Sequence, residues 1–99
     1  MHARVTIAHP QPDRFDEAVS VVQQTFQPAA KGQPGFRGFM LLADRATHQL
    51  TGITLWETEA DMAASAGAGG YYQDQMENFA GLLTAPATTT THEVAAFET

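Results

Sequence analysis

Two kinds of side chain in this sequence have the chemistry to bind or transform an aromatic compound. The first kind is large and apolar or aromatic. It comprises Trp56, the only tryptophan, and Tyr72, which is followed by Met76 and Phe79 at spacings of four and three. Aromatic faces stack on a ring, and a tyrosine hydroxyl can bond to a phenol or quinone oxygen. The second kind is a base, His9, since an imidazole can take up a proton near neutral pH. Side chains of these types have the chemistry that a pocket for a small hydrophobic or aromatic ligand requires.

Each of these residues also has an interpretation that involves no ligand. Trp56 can fill the core between helices and sheet, where removing about 150 to 250 Å² of surface from water contributes at most about 4 to 6 kcal/mol. Tyr72 can belong to the same buried helix stripe as Met76 and Phe79. His9 can be a hydrogen-bonded structural residue. The sequence leaves these alternatives open.

Composition disfavours several other kinds of chemistry. The absence of cysteine rules out disulfides, thiolate metal sites and a cysteine nucleophile. The four histidines are scattered, with none at the i and i+4 spacing of a helical metal site, so we expect no metal site. Eleven acidic residues against five basic ones give a net charge of −6, and no stretch is rich in Lys or Arg. Neither nucleic acid nor a membrane surface is therefore an expected partner.

Two further features bear on where the protein works. No segment approaches the roughly 18 continuous apolar residues of a membrane span, and the first ten residues lack the apolar run of a signal peptide. We therefore expect a cytoplasmic protein.

The first element that must position these residues is a strand. In residues 3–9, apolar Val5 and Ile7 alternate with polar residues, which predicts a strand with one buried face. By this alternation His9 lies on the same side as Val5 and Ile7. Its ring is therefore expected to tip toward the helices.

The predicted fold has two helical regions, one after the first strand and one after the third strand. The first begins at Asp13 as its N-cap and is closed by Pro28 and the Gly32 to Gly35 region. Its core-facing stripe consists of Phe15, Ala18, Val19, Val22 and Phe26. The second begins at Thr58, which forms a capping-box variant with Asp61, and is interrupted by "GAGG" at 67–70.

Three more strands are predicted, at 35–43, 50–57 and 88–97, the first two joined by a short polar hairpin. These two are apolar on both parities, unlike an antiparallel strand with one face in water. We expect one parity, containing Phe39, Leu41, Ile53 and Leu55, to face away from the helices. Monomers rarely expose such a patch, so two chains should pair face to face as a homodimer. Arg37 interrupts the first of these strands and should either pair with a carboxylate across the dimer or bind an anionic ligand group.

This order of elements predicts an α+β fold of the ferredoxin-like βαββαβ type. Its sheet has four antiparallel strands with helices on one face, and two chains pair as a dimeric α+β barrel. The sequence contains no repeat and no linker, so residues 1–99 are expected to form a single domain.

The element order, the stretch "QPGFRGFMLLADRATH" and the strand ending "ITLWETEADM" resemble the antibiotic biosynthesis monooxygenase-like family of dimeric α+β barrels. The resemblance extends from Val5 to about Phe97. It implies a pocket in each subunit between the helices and the sheet, lined by the tryptophan that ends the third strand, which is Trp56 here. Similar members include cofactor-independent oxygenases that act on anthrones or quinols, haem-degrading enzymes and proteins of unassigned role.

Among these activities, haem degradation is disfavoured. The haem-degrading members use a histidine on the helix after the tryptophan, and residues 57–83 contain none. They also use an asparagine on the first strand, where residues 7–9 offer none. We therefore expect a cofactor-independent monooxygenase-like protein that acts on an aromatic or quinol compound. The predicted substrate-binding residues are Trp56, Tyr72, Met76 and Phe79, and the predicted base is His9. The alternative is a non-catalytic homodimer that binds a small molecule or is purely structural.

Overall fold

The computed structural model describes residues 1–66 and 71–98, and for residues 71–74 it describes the backbone alone. The strands are β1 (His2–Ala8), β2 (Phe36–Asp44), β3 (Gln49–Trp56) and β4 (Thr88–Glu93). The helices are α1 (Phe15–Val21), α2 (Gln27–Lys31), α3 (Glu59–Ala66) and α4 (Tyr71–Phe79). All strand pairs are antiparallel, in the order β2-β3-β1-β4, with the helices on one face. The predicted α+β fold is confirmed, while the predicted "GAGG" interruption lies outside the described residues.

The first helical region ends at Lys31, immediately before the predicted stop at Gly32 to Gly35. Pro28 does not end it, because the helix continues as α2 to Lys31. Proline has no N–H to donate to the carbonyl four residues earlier. The chain accommodates this with a π-helical segment, Val22–Phe26, in which the Gln27 N–H bonds to the Val22 carbonyl five residues earlier. The wider turn keeps the helix continuous through the proline.

The two predicted helix starts had different outcomes. Asp13 is not an N-cap, because it lies inside a short 3-10 turn, Pro12–Arg14, for which no side-chain cap is formed. Thr58 caps α3 as predicted, since its Oγ1 accepts a hydrogen bond of 3.1 Å from the Asp61 N–H. The start of α3 is thus fixed immediately after β3 and Trp56.

A β-bulge changes which side chains of β2 face the helices. Phe36 pairs with Trp56 and Gly38 with Leu55, so Arg37 is an extra residue in the ladder. One extra residue reverses the alternation of all side chains beyond it. As a result Phe39 and Leu41 pack against the helix-facing core, and the prediction that they face away from the helices was wrong. Met40 and Leu42 take their place on the far side, where they are 48% and 47% exposed.

The faces of β1 are also the reverse of the prediction. Arg4, Thr6 and Ala8 line the space beneath the helices, so Val5 and Ile7 lie on the other face of the sheet. The alternation of polar and apolar residues was read correctly as a strand. The alternation alone does not show which face the helices cover. In this protein they cover the face with Arg4 and Thr6, and not the apolar one.

The apolar side chains of the sheet are thus divided between two faces. The helix-facing side belongs to a core that includes Phe15, Val22, Phe26, Leu50 and Phe79. The side away from the helices, here called the outer face, carries Val5, Ile7, Met40, Leu42, Ile53 and Leu55. Apolar residues on both faces agree with the prediction, although the membership of the faces differs. None of the described helices is long and apolar enough to cross a membrane.

Candidate functional site

A cavity of about 50 Å³ lies between the sheet and the helices. Its floor is the helix-facing side of three strands, where Thr6, Leu41, Gly52 and Thr54 are exposed to it together with Arg4. This volume exceeds the roughly 10 to 15 Å³ that one water needs, and it is below the roughly 300 to 1,000 Å³ of typical ligand pockets. A ligand the size of an aromatic ring therefore requires the walls to move apart.

The roof of the cavity comes from two helical segments. Val22 and Phe26 belong to the π-helical segment that Pro28 imposes, while Met76 and Phe79 belong to α4. The Phe26 and Phe79 rings meet edge to face, with centroids 5.4 Å apart. Met76 is only partly buried, and its unbranched thioether chain can change rotamer at small cost. The roof thus combines a fixed aromatic pair with one adaptable side chain.

Arg4 supplies a positive charge at one end of the floor. Its side chain is only 3% exposed. Nη1 donates to the Ser65 Oγ at 2.9 Å and to the Met62 carbonyl at 3.4 Å, and the guanidinium carbon lies 5.5 Å from the centre of the Trp56 ring. Burying a charge is costly unless hydrogen bonds and electrostatic contacts compensate it. The contacts with α3 and the indole therefore hold the guanidinium in a defined position.

Trp56 supports this end of the cavity from behind. It is 0% exposed, and its Nε1 donates a hydrogen bond of 2.9 Å to the Thr54 Oγ1. Its ring also meets Phe36 edge to face at 5.9 Å. Trp56 is not among the residues that line the cavity, whereas Arg4 and Thr54, which it contacts, are. Its position at the end of β3 thus lets one side chain hold two lining residues.

The other predicted site residues are placed as follows. Met76 and Phe79 both line the cavity. The side chain of Tyr72 lies outside the described residues. His9 is exposed just beyond β1, its carbonyl accepts the Thr84 N–H at 2.8 Å, and it is not part of the lining. The expectation that its ring tips toward the helices rested on the reversed face of β1.

Two further charged pairs lie apart from the cavity lining. Arg37 forms an ion pair with Glu57 of the same chain, whereas the predicted carboxylate partner was one across a dimer. On α1, hydrogen bonds from Arg14 lower the pKa of the Glu17 carboxyl. Among the residues whose side chains are described, no three His, Asp or Glu are grouped as a metal site requires.

Sequence reasoning missed Arg4, Thr54 and Gly52 as cavity residues. Arg4 was assigned to a polar, solvent-facing side of the first strand. The position of Arg4 could have indicated its role. Arg4 lies in β1, which is an inner strand of the sheet, and a charged residue on an inner strand needs either an open sheet face or a partner. Gly52 could have been noticed as a glycine in the middle of an otherwise β-branched and apolar strand.

Comparison with solved structures shows the same fold in other proteins. A monooxygenase of Streptomyces coelicolor, solved with the ligand nanaomycin D, superposes with a TM-score of 0.80 at 17% identity, covering 99% of this chain and 92% of that one. An antibiotic biosynthesis monooxygenase gives 0.77 at 10% identity over 97% of this chain and 100% of that one. A protein of unknown function from Nitrosomonas europaea gives 0.79 at 18% identity over 99% and 92%.

These similarities confirm that the chain has the fold of the antibiotic biosynthesis monooxygenases along nearly its whole length. No protein-family model matches the sequence, and no curated protein matches it. Identities at this level establish the fold and carry no site residue across, since one fold supports many activities.

Proposed function

We propose that this protein is a monooxygenase-like enzyme that acts on an aromatic or quinol compound in the cavity between sheet and helices. Residues 1–99 form one domain of a homodimer, and no tightly held cofactor takes part. The observation that carries the proposal is the composition of the cavity. Aromatic and aliphatic side chains make up most of its walls, while the polar groups of Arg4 and Thr54 converge at one end of the floor.

The chemistry follows from the charge at that end. A buried cation favours the ionised form of a phenol or enol beside it, so Arg4 makes the substrate easier to deprotonate. The resulting electron-rich anion can pass an electron to O₂, and the two radicals then combine. For an anthrone, the CH₂ carbon becomes a carbonyl, and the second oxygen atom leaves as water with both hydrogens. The electron balance therefore requires no external reductant.

The remaining residues shape the site. Phe26 and Phe79 present a fixed aromatic surface, and Met76 adapts to the ligand. Trp56 acts through Arg4 and Thr54. His9 is not included, because no observed contact connects it with the cavity. The S. coelicolor monooxygenase of the same fold was solved with the ligand nanaomycin D, which supports the choice of a small-molecule ligand.

A second candidate is favoured by the cavity volume. At about 50 Å³ the cavity is several times smaller than typical ligand pockets. A non-catalytic homodimer that binds a small molecule weakly, or uses the fold structurally, would need nothing larger.

Oxygen uptake distinguishes the two candidates. With 1,8-dihydroxyanthrone or 1,4-dihydroxynaphthalene as substrate, the wild type should consume oxygen faster than the buffer. Arg4→Gln should lower kcat/KM by about tenfold or more, because a charged hydrogen-bonding group is lost. Arg4→Lys keeps the charge and should retain part of the rate.

The matched control is Arg45→Gln. Arg45 is largely exposed and pairs with Asp16 at the surface, so its loss should leave the rate unchanged. Thermal melting shows whether each variant is folded. Absence of turnover by the wild type with both compounds, or full turnover by folded Arg4→Gln, would contradict the oxygenase assignment.

A further inference from the structure

Gly52 leaves the centre of the cavity floor bare. It lies on β3 between Leu41 of β2 and Thr6 of β1, and all three residues line the cavity. A Cβ built at Gly52 would meet no atom within 4 Å. The space that a side chain at this position would fill is therefore part of the cavity.

The backbone gives no reason for a glycine at this position. Among the described glycines, Gly35 is the one with a positive φ, and Gly52 has an ordinary strand conformation. Glycine in the middle of a strand is unfavourable compared with β-branched residues, because it loses more conformational freedom on folding and packs no side chain. A bare strand backbone is useful where a ligand must approach closely.

The position of Gly52 relative to the polar groups defines what can lie there. Thr54 is the next residue of β3 on the same face. It is paired with Arg4 on the neighbouring strand β1. Same-face residues on a strand are about 7 Å apart. A flat ring against Gly52 would thus point a substituent on its edge toward Arg4 and Thr54, while the Phe26 and Phe79 rings cover its other face.

We propose that Gly52 determines the specificity of the site, by admitting a planar aromatic anion whose ring lies against the strand backbone and whose negative group faces Arg4. This inference rests on the proposed function, because it assumes that the cavity binds a ligand. It adds the shape and charge of that ligand and the residue that selects them.

Two probes of different shape test the proposal by isothermal titration calorimetry. 2-Naphthoate is flat and adamantane-1-carboxylate is globular, yet both are carboxylates with the same number of carbon atoms. The wild type should bind 2-naphthoate about tenfold or more tightly than adamantane-1-carboxylate. Gly52→Val should weaken 2-naphthoate binding by about tenfold or more, since the added side chain occupies the ring position. Gly52→Ala should have a smaller effect in the same direction.

Thermal melting separates this role from a structural one. Gly52→Val and Gly52→Ala should melt at the same temperature as the wild type or higher, because the new side chain enters empty space and suits a strand better. Gly81→Ala is the matched control, since its Cβ also meets open space but Gly81 lies outside the cavity lining. It should bind 2-naphthoate like the wild type.

The outcomes distinguish this inference from the proposed function. If the wild type binds 2-naphthoate and folded Gly52→Val binds it equally well, Gly52 has no specificity role and the pocket itself is unaffected. Equal affinity of the wild type for the two probes would likewise overturn the shape selection. If the wild type binds neither probe, both the inference and the ligand pocket on which it rests are wrong.

Discussion

The hydrogen bond between Trp56 and Thr54 gives the clearest prediction for a single residue. Thr54→Val keeps the shape of the side chain and removes the acceptor of the indole N–H, which is fully buried. A buried donor that loses its acceptor pays its desolvation penalty, so the free energy of unfolding should fall by about 1 to 3 kcal/mol. Urea denaturation followed by the fluorescence of Trp56, the only tryptophan, measures this directly.

The same strand provides the control. Thr51→Val changes the same atoms on the outer face of β3, where the hydroxyl accepts a bond from the partly buried Gln49 side chain and contacts no indole. Its effect should stay within about 0.5 kcal/mol. Equal losses in the two variants would show that β-propensity or general packing, and not the indole hydrogen bond, is being measured.

At this scale the sequence predicted some site residues and not others. Met76 and Phe79 were predicted from helical spacing, which marks a buried stripe, and both line the cavity, while their role in binding substrate stays a prediction. Arg4 was missed because its contacts with Ser65 and Met62 join residues about sixty positions apart. No local pattern encodes such a pairing. Trp56 was recognised as important, but its indirect contact with the cavity depends on those same distant partners.

Gly35, in the turn before β2, leads to a prediction at the scale of an element. Its φ is +78°, which non-glycine residues adopt at a cost of about 1 to 2 kcal/mol, and a Cβ there would overlap the Asp61 carboxylate at the start of α3. Gly35→Ala should therefore lower the free energy of unfolding by about 2 kcal/mol or more in urea denaturation. The Gly35 carbonyl also accepts the Glu57 N–H at 2.7 Å, so the turn is tied to the chain just after β3 and has little freedom to relax.

Two comparisons separate the causes of that loss. Placing Gly35→Ala in an Asp61→Ala background removes the overlap and leaves the backbone strain, so part of the stability should return. Gly81→Ala, where a side chain meets open space and the backbone is unstrained, should cost little. A Gly35→Ala protein as stable as the wild type would show that the turn relaxes into another conformation.

Elements were predicted well from sequence, and their details were not. Apolar spacing located β1, β2, β3 and the helical regions. The last strand was predicted over 88–97 from its threonines and the alternation that follows them, and β4 ends at Glu93, before that alternating part. The bulge at Arg37 was not predicted, because a single extra residue leaves the apolar composition of the strand unchanged while reversing its faces. The missing N–H of Pro28 predicted a helix end together with Gly32 to Gly35, whereas the helix passes Pro28 by way of a π-helical segment and stops before Gly32. Both features are changes in the backbone hydrogen-bond pattern, which the periodicity of apolar side chains does not reveal.

At the scale of the whole molecule, the outer face of the sheet determines whether the proposed homodimer forms. Met40, Ile53 and Val5 are paired directly across three neighbouring strands, and Leu42, Thr51 and Ile7 form the next row. The threonine-rich β4 borders this surface with polar side chains. An apolar sheet face that is bordered on one side by polar side chains suits a self-complementary interface about a two-fold axis.

Ile53→Lys tests this arrangement because Ile53 is central in the first row. A lysine there would have to be desolvated in the interface, so the dimer dissociation constant should rise by about a hundredfold or more while circular dichroism shows an intact fold. Gln23→Lys adds the same charge on the exposed side of the helical layer and should leave the dimer unchanged. Sedimentation velocity at micromolar concentration measures both. A wild type that sediments as a lone chain would contradict the dimer, and the outer face would then need another explanation for its exposed Met40 and Leu42 side chains.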